Sequence, residues 1–394
     1  MAADPTLVDA AEAAEGSEHA SDAEQRVGPL ELFFDLVFVF AITQVTQFIA
    51  EDPTWEGLAR GLMILAVVWW AWVAYSWLTN TLDTEKDHVR LVMFVAMGAM
   101  FVVSLSIPNA FNDDALLFAL AYLVVRAAHI LLYGFASNDT GVQQAVKRLA
   151  PSMVVAAALL VVASFLAGPP QGLLWLAAIA IDYAGPVLGG MGGWTLQPGH
   201  FAERHGLIVI IAFGESIVAT GLGAAGIVLD LQVVLAAMFG IVLAAALWWL
   251  YFDVVALVAE RHLHEAKGLA QVRMARDSYS YIHVLMIAGI VLMALGAKKT
   301  IGEVDEPLKV VPAVALCGGV TLYLVGHIAF RLRNIGTLNR QRLVVAAVAA
   351  GLIPVAVEVD ALLTLGVLAA LCASLIAYEA IHFRDARQRV RAAR

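Results

Sequence analysis

ELFFDLVFVFAITQVTQ, residues 31–47, decides how the rest of the chain is read. The stretch is apolar enough to enter a bilayer, yet it carries Glu31, Asp35, Thr43, Gln44, Thr46 and Gln47. At about 100° per residue, Glu31, Asp35, Thr43, Thr46 and Gln47 share one arc of roughly 160°, with Gln44 outside it. Inside lipid, a helix with an apolar back and a polar front turns that front towards other helices or a water-filled cavity. A plainer reading has Glu31 and Asp35 marking only the helix start, where a carboxylate suits the N-terminal dipole.

Composition carries this reading to the whole chain. Of 394 residues, 61% are hydrophobic and 14% charged, against about 25% charged in soluble domains. Mean hydropathy is +0.82. These values place the chain in the polytopic, all-α membrane class. The first 25 residues hold seven acids and no Lys or Arg, and are expected to be disordered. They lack a basic segment followed by an apolar run, so no signal peptide is expected. Cys317 and Cys372 both lie in apolar runs and read as small buried hydrophobes.

A spanning helix needs about 20 mostly apolar residues. Twelve segments qualify: 29–49, 57–80, 90–109, 114–136, 148–168, 171–192, 203–226, 230–258, 274–297, 307–332, 341–357 and 360–383. The shortest is 341–357, and 171–192 is interrupted by Asp182, Gly185 and Pro186. With twelve spans and the N-terminus inside, 19 Lys and Arg fall on inner segments, 4 on outer ones and one, Arg126, inside a helix. That asymmetry supports an inner-membrane protein with both termini cytoplasmic. The organisation expected is an acidic segment 1–27, a six-helix half 28–192, a second half 193–383 and a basic tail 384–394. Trp69-Trp70 in span 2 and Trp248-Trp249 in span 8 hint at a parallel repeat. So do Tyr122-Leu123-Val124 and Tyr323-Leu324-Val325, in spans 4 and 10.

An ionisable group at the centre of a span costs on the order of 2.5–3.5 kcal/mol. The chain nevertheless carries Asp35, Arg126, His129, Asp182, Glu215 and His283 there, with Asp253, His327 and Glu379 nearer helix ends. Arg126 is expected to pair with one or more of Asp35, Asp182 and Glu215, and these groups to share a polar interior. Glu215, between Gly214 and Ser216, suits a cation or a proton. Asp182 lies four residues before Pro186, which opens either a discontinuous-helix ion site or a simple kink. The histidines are candidates for proton relay or for plain structural hydrogen bonds. Trp69, Trp70, Trp72, Trp77, Trp248 and Trp249 either shield a ligand or fill the core and the membrane interface. No metal-binding, nucleotide-binding or nucleic-acid motif is present, and no cofactor is expected.

Three stretches together, ELFFDLVFVFAITQ (31–44), ERHGLIVIIAFGESIVATG (203–221) and RDSYSYIHVLMIAGIVLMALGAKK (276–299), resemble the bacterial low-temperature-requirement A family. The resemblance covers the chain beyond its acidic N-terminal segment. It implies a polytopic inner-membrane protein and points to Glu31, Asp35, Glu203, Glu215 and His283. It implies no substrate.

The first functional reading is a secondary transporter whose intramembrane carboxylates, Asp35 and Glu215, couple to a proton or cation, with Arg126 holding the resting charge. Its partners are membrane lipids and a small-molecule or ion substrate, and no nucleic acid. The alternatives are a membrane-embedded enzyme acting on a lipid-soluble substrate, or a non-catalytic membrane stress sensor. The sequence leaves the oligomeric state open.

Overall fold

The computed structural model describes residues 26–136, 139–385 and 387–388. Most of the acidic N-terminal segment and most of the basic tail lie outside the described residues. The described chain is all-helical: α1 Pro29–Glu51, α2 Trp55–Thr81, α3 Asp87–Ser106, α4 Ala115–Ala136, α5 Thr140–Ala163 and α6 Pro169–Leu188. Then follow α7 Pro198–Gly223, α8 Leu231–Phe252, α9 Val255–Glu265, α10 Gly268–Met274 and a π-helix, Ala275–Ile282, continuing into α11 His283–Gly302. The chain closes with α12 Val310–Ile335, α13 Arg340–Gly351, α14 Ile353–Ala356 and α15 Ala361–His382.

Local chemistry sets the helix ends. Pro29 sits at the start of α1 and the Glu31 side chain accepts from the Gly28 N–H at 2.9 Å, satisfying a donor the helix leaves free. Thr54, Asp139, Asp230 and Asn339 cap α2, α5, α8 and α13 with side-chain oxygens. Gly336, at φ 75°, closes α12 in the left-handed conformation.

Among the described residues, eleven helical stretches are long and apolar enough to cross a membrane. The segment expected as a twelfth crossing, 341–357, is the broken pair α13–α14 and is not among these eleven. At 1.5 Å per residue it covers about 25 Å, close to the hydrocarbon thickness. It starts near the end of α12 and finishes at the opposite face, where the Leu308 N–H donates to the Ala356 carbonyl at 3.2 Å. The Ala361 N–H donates to Glu306 across the same junction.

α1 packs on α2 and α3, α3 on α4, α4 on α5, α5 on α6, and α2 on α4 and α6. In the second six spans, α7 packs on α8 and α11, α11 on α12, α12 on α13, α13 on α15, and the α8–α9 span on α12 and α15. The two sets meet through α1 and α2 on one side and α7 and α11 on the other. Outward faces are apolar, as on α3, where Leu91, Phe94, Val95, Phe101 and Leu105 are exposed; lipid covers such a surface without penalty. α11 and α12 touch closely because Gly289, Gly296 and Gly319 leave no side chain between them. Cys317 and Cys372 are buried free thiols.

Candidate functional site

The polar front of α1 faces α7, and the charge that answers it is Arg204. Arg204 is fully buried and binds Glu31 at 2.9 Å, Asp35 at 2.5 Å and the Thr79 hydroxyl at 2.6 Å. Trp72 donates its indole N–H to Asp35 at 2.9 Å, with the Arg204 guanidinium 5.8 Å from its ring. His200 lies 2.9 Å from Glu31 and 3.1 Å from Asn80. Two acids against one arginine make a compact network in which Asp35 Oδ2 and Arg204 Nε remain without partners. Both acids sit on α1 one turn apart because their spacing is i, i+4.

The seam between α1 and α7 continues towards the opposite face. Past Asp35 it becomes apolar, with Phe38, Ile42, Ile208, Val209 and Ala212 buried there. Eleven residues beyond Arg204, about 16 Å along α7, stands Glu215, which is buried and accepts from Thr43 at 3.2 Å. Its Oε1 has no partner. A turn further on, Gln47 bonds Lys298 and donates to Glu51 at 2.6 Å. A cluster at one end, an apolar layer, a buried acid and a second polar group thus lie along one interface.

Arg126 and Asp182 are elsewhere, on α4 and α6. They meet at 2.7 Å, with the Tyr122 hydroxyl 3.4 Å from the same carboxylate. α2 stands between this pair and the α1–α7 seam: its Trp72 faces Asp35, while Trp70 lines the cleft beside Arg126. His129 is buried and bonds the Ala74 carbonyl at 3.0 Å. α6 runs unbroken through Pro186, so Asp182 belongs to a continuous helix and not to a discontinuous one. The irregular helix is the π-segment 275–282, which sequence reading treats as part of an ordinary span; such bulges recur at functional sites. It ends at His283, whose ring bonds the Tyr251 hydroxyl and the Ser278 carbonyl, each at 2.9 Å, and lies 5.3 Å from the His205 ring. His327 contacts Arg342 at 2.7 Å, and Arg342 pairs with Glu379.

The expectation that Arg126 pairs with a carboxylate is met by Asp182. The expectation that Asp35, Arg126, Asp182 and Glu215 share one polar interior is not. They form three sites, because each acid takes the nearest donor at its own depth and α2 separates the sites laterally. Arg204 is the residue that sequence reading missed. The available signal was the Glu31/Asp35 pair, which demanded a buried cation. The resemblance marked the neighbouring Glu203, which is exposed and accepts from the Val27 N–H at 3.2 Å. Trp69, Trp70, Trp72 and Trp77 are buried, while Trp248 and Trp249 are 40% and 42% exposed.

Comparison with known proteins places this arrangement. Over 308 residues the chain is 28% identical to an uncharacterized protein, RA0937, of Rhizobium meliloti (strain 1021), covering 75% of each chain. No solved structure matches it. The model of the bacterial low temperature requirement A protein (LtrA) family matches residues 26–377, which takes in the Arg204 cluster, Glu215 and the Arg126–Asp182 pair, and the chain therefore belongs to the LtrA family.

Proposed function

We propose that this multi-pass membrane protein is a secondary transporter of the inner membrane, with both termini cytoplasmic and Glu215 as its proton- or cation-coupling group. The seam between α1 and α7 carries this reading. It holds charged groups at both ends, an apolar layer between them, and a buried carboxyl with one oxygen unsatisfied. A carboxyl so placed completes its bonding by taking a proton or a cation. The Arg204 network then acts as the fixed end of the pathway, and the apolar layer around Phe38 and Ile42 as its barrier.

The same reading takes the two six-span sets as a parallel repeat. Their main packing pairs run in the same order, although α11 also packs on α8 and α15, and the coupling seam lies where they meet, as in transporters built from repeats. Lys and Arg gather at the face where α1 begins, which supports placing that face in the cytoplasm.

The experiment is reconstitution of the full chain into proteoliposomes with an entrapped pH-sensitive dye. Small organic acids, amines and alkali cations are then added in turn under a set pH gradient. The expected result is proton movement on addition of at least one solute, reduced to the protein-free level by Glu215→Gln. Proton movement in that variant equal to the wild type, or none in the wild type with any solute, overturns the reading.

A further inference from the structure

The cleft between α2, α4, α5 and α6 is a narrow slot with a cavity volume of about 50 Å³, below the range of drug-sized sites, so only a thin ligand enters it. Its walls include Trp70, Trp77 and Trp194, and its charged lining is Arg126 and Arg276, with no carboxylate. Trp77 and Trp194 meet edge to face at 5.5 Å, and Trp70 is held by stacking on Tyr183 at 4.0 Å, so the walls are flat and fixed.

Buried donors without acceptors gather at this cleft. Arg126, 1% exposed, spends Nη2 on Asp182 and leaves Nε and Nη1 with no partner. Trp194 Nε1, also lining the cleft, has none. Buried donors are almost always satisfied in proteins, and each specific exception needs an explanation. Leaving them unpaired costs free energy that an incoming acceptor recovers. His129, at the same lining, keeps Nδ1 free as well. Arg276 stands in the lining with its guanidinium shared between Asp277 and the Pro186 carbonyl.

We propose that this cleft binds a small organic acid with a flat apolar body, its carboxylate accepting from Arg126 and Trp194 and its body held between the tryptophans. The geometry suits an anion: an oxyanion accepts charge-assisted bonds from a guanidinium, and such bonds are the strong ones. The apolar walls favour a body without further charge. The proposal names the solute class of the carrier described above and rests on that reading. Binding itself, however, is measured without a gradient, so failure of coupling at Glu215 and failure of this site give separate results.

The test is isothermal titration calorimetry of the full-length protein in detergent with 4-nitrobenzoate, and with its uncharged isostere 4-nitrobenzamide. The expected result is tighter binding of the benzoate by about tenfold or more, as a charge-assisted contact gives. Replacing the ion pair by neutral isosteres, Arg126→Gln with Asp182→Asn, avoids leaving one buried charge alone and is expected to abolish the preference. Trp194→Phe keeps the ring surface and removes one donor, and is expected to weaken the benzoate by about threefold. Should the double variant fail to fold, the amide comparison and Trp194→Phe still decide. Equal affinity for acid and amide, no binding of either, or a preference that survives the double variant overturns the proposal.

Discussion

Two clefts, one between α2, α4, α5 and α6 and one between α8, α9, α12, α13 and α15, are each built around a buried arginine. In the first, Arg126 binds Asp182 through one nitrogen and leaves two others unpaired, within a narrow, tryptophan-walled space of about 50 Å³. In the second, Arg342 binds both oxygens of Glu379, at 2.9 and 2.8 Å, and also donates to the Leu250 carbonyl and His327. That cleft is wider, about 440 Å³, and Arg387 and Asp253 pair in its lining at 2.5 Å. One guanidinium holds helices together; the other keeps donors in reserve. What distinguishes the clefts is whether the protein itself uses up the arginine.

The largest effect expected from this contrast falls on the second cleft. Arg342→Gln strands Glu379 and should cost about 3–5 kcal/mol, the usual penalty for breaking a buried pair, seen as a large fall in melting temperature in detergent. No fall in melting temperature for Arg342→Gln would mean that this arginine does not hold the helices together.

Next in size is the packing between the third and fourth helices of each set. A Cβ at Gly289 would come within 2.6 Å of the Tyr323 backbone nitrogen, whereas one at Gly98 of α3 meets nothing within 4 Å. Gly289→Ala should therefore destabilise by about 1–3 kcal/mol through overpacking. Gly98→Ala should be neutral or stabilising by up to about 1 kcal/mol, since Ala is the better helix former. Thermal denaturation of the two variants side by side checks both.

A smaller effect is expected when the pair in the first cleft is removed whole. Arg126→Gln with Asp182→Asn should change the melting temperature little, because losing both charges strands neither. A melting temperature lowered as far as by Arg342→Gln would mean that the first arginine is structural too.

Most of the fold was legible in the chain. The apolar runs and their lengths give the order of the helices and eleven of the expected crossings, because the bilayer imposes length rules on every segment separately; the one expected at 341–357 is a broken helix. The Arg126–Asp182 pair was legible too, since a buried cation and a buried acid must meet something. The grouping of the sites was not. Glu31, Asp35 and Arg204 come together from helices 169 or more residues apart, and nothing local marks Arg204 as buried, since it falls within the first two turns of α7, where a loop charge would also sit. The π-turn before His283 and the unpaired donors around Arg126 were equally invisible, because each is a matter of where backbone and partners end up.

By itself, then, the sequence determined that this is a many-spanning helical membrane protein, which segments cross, and that its intramembrane charges require partners. Those conclusions rest on transfer free energies that act residue by residue. Only the tertiary structure decided which acid meets which base, that α2 walls one site off from another, and which arginine keeps unused donors, because those outcomes depend on distances between helices far apart in the chain.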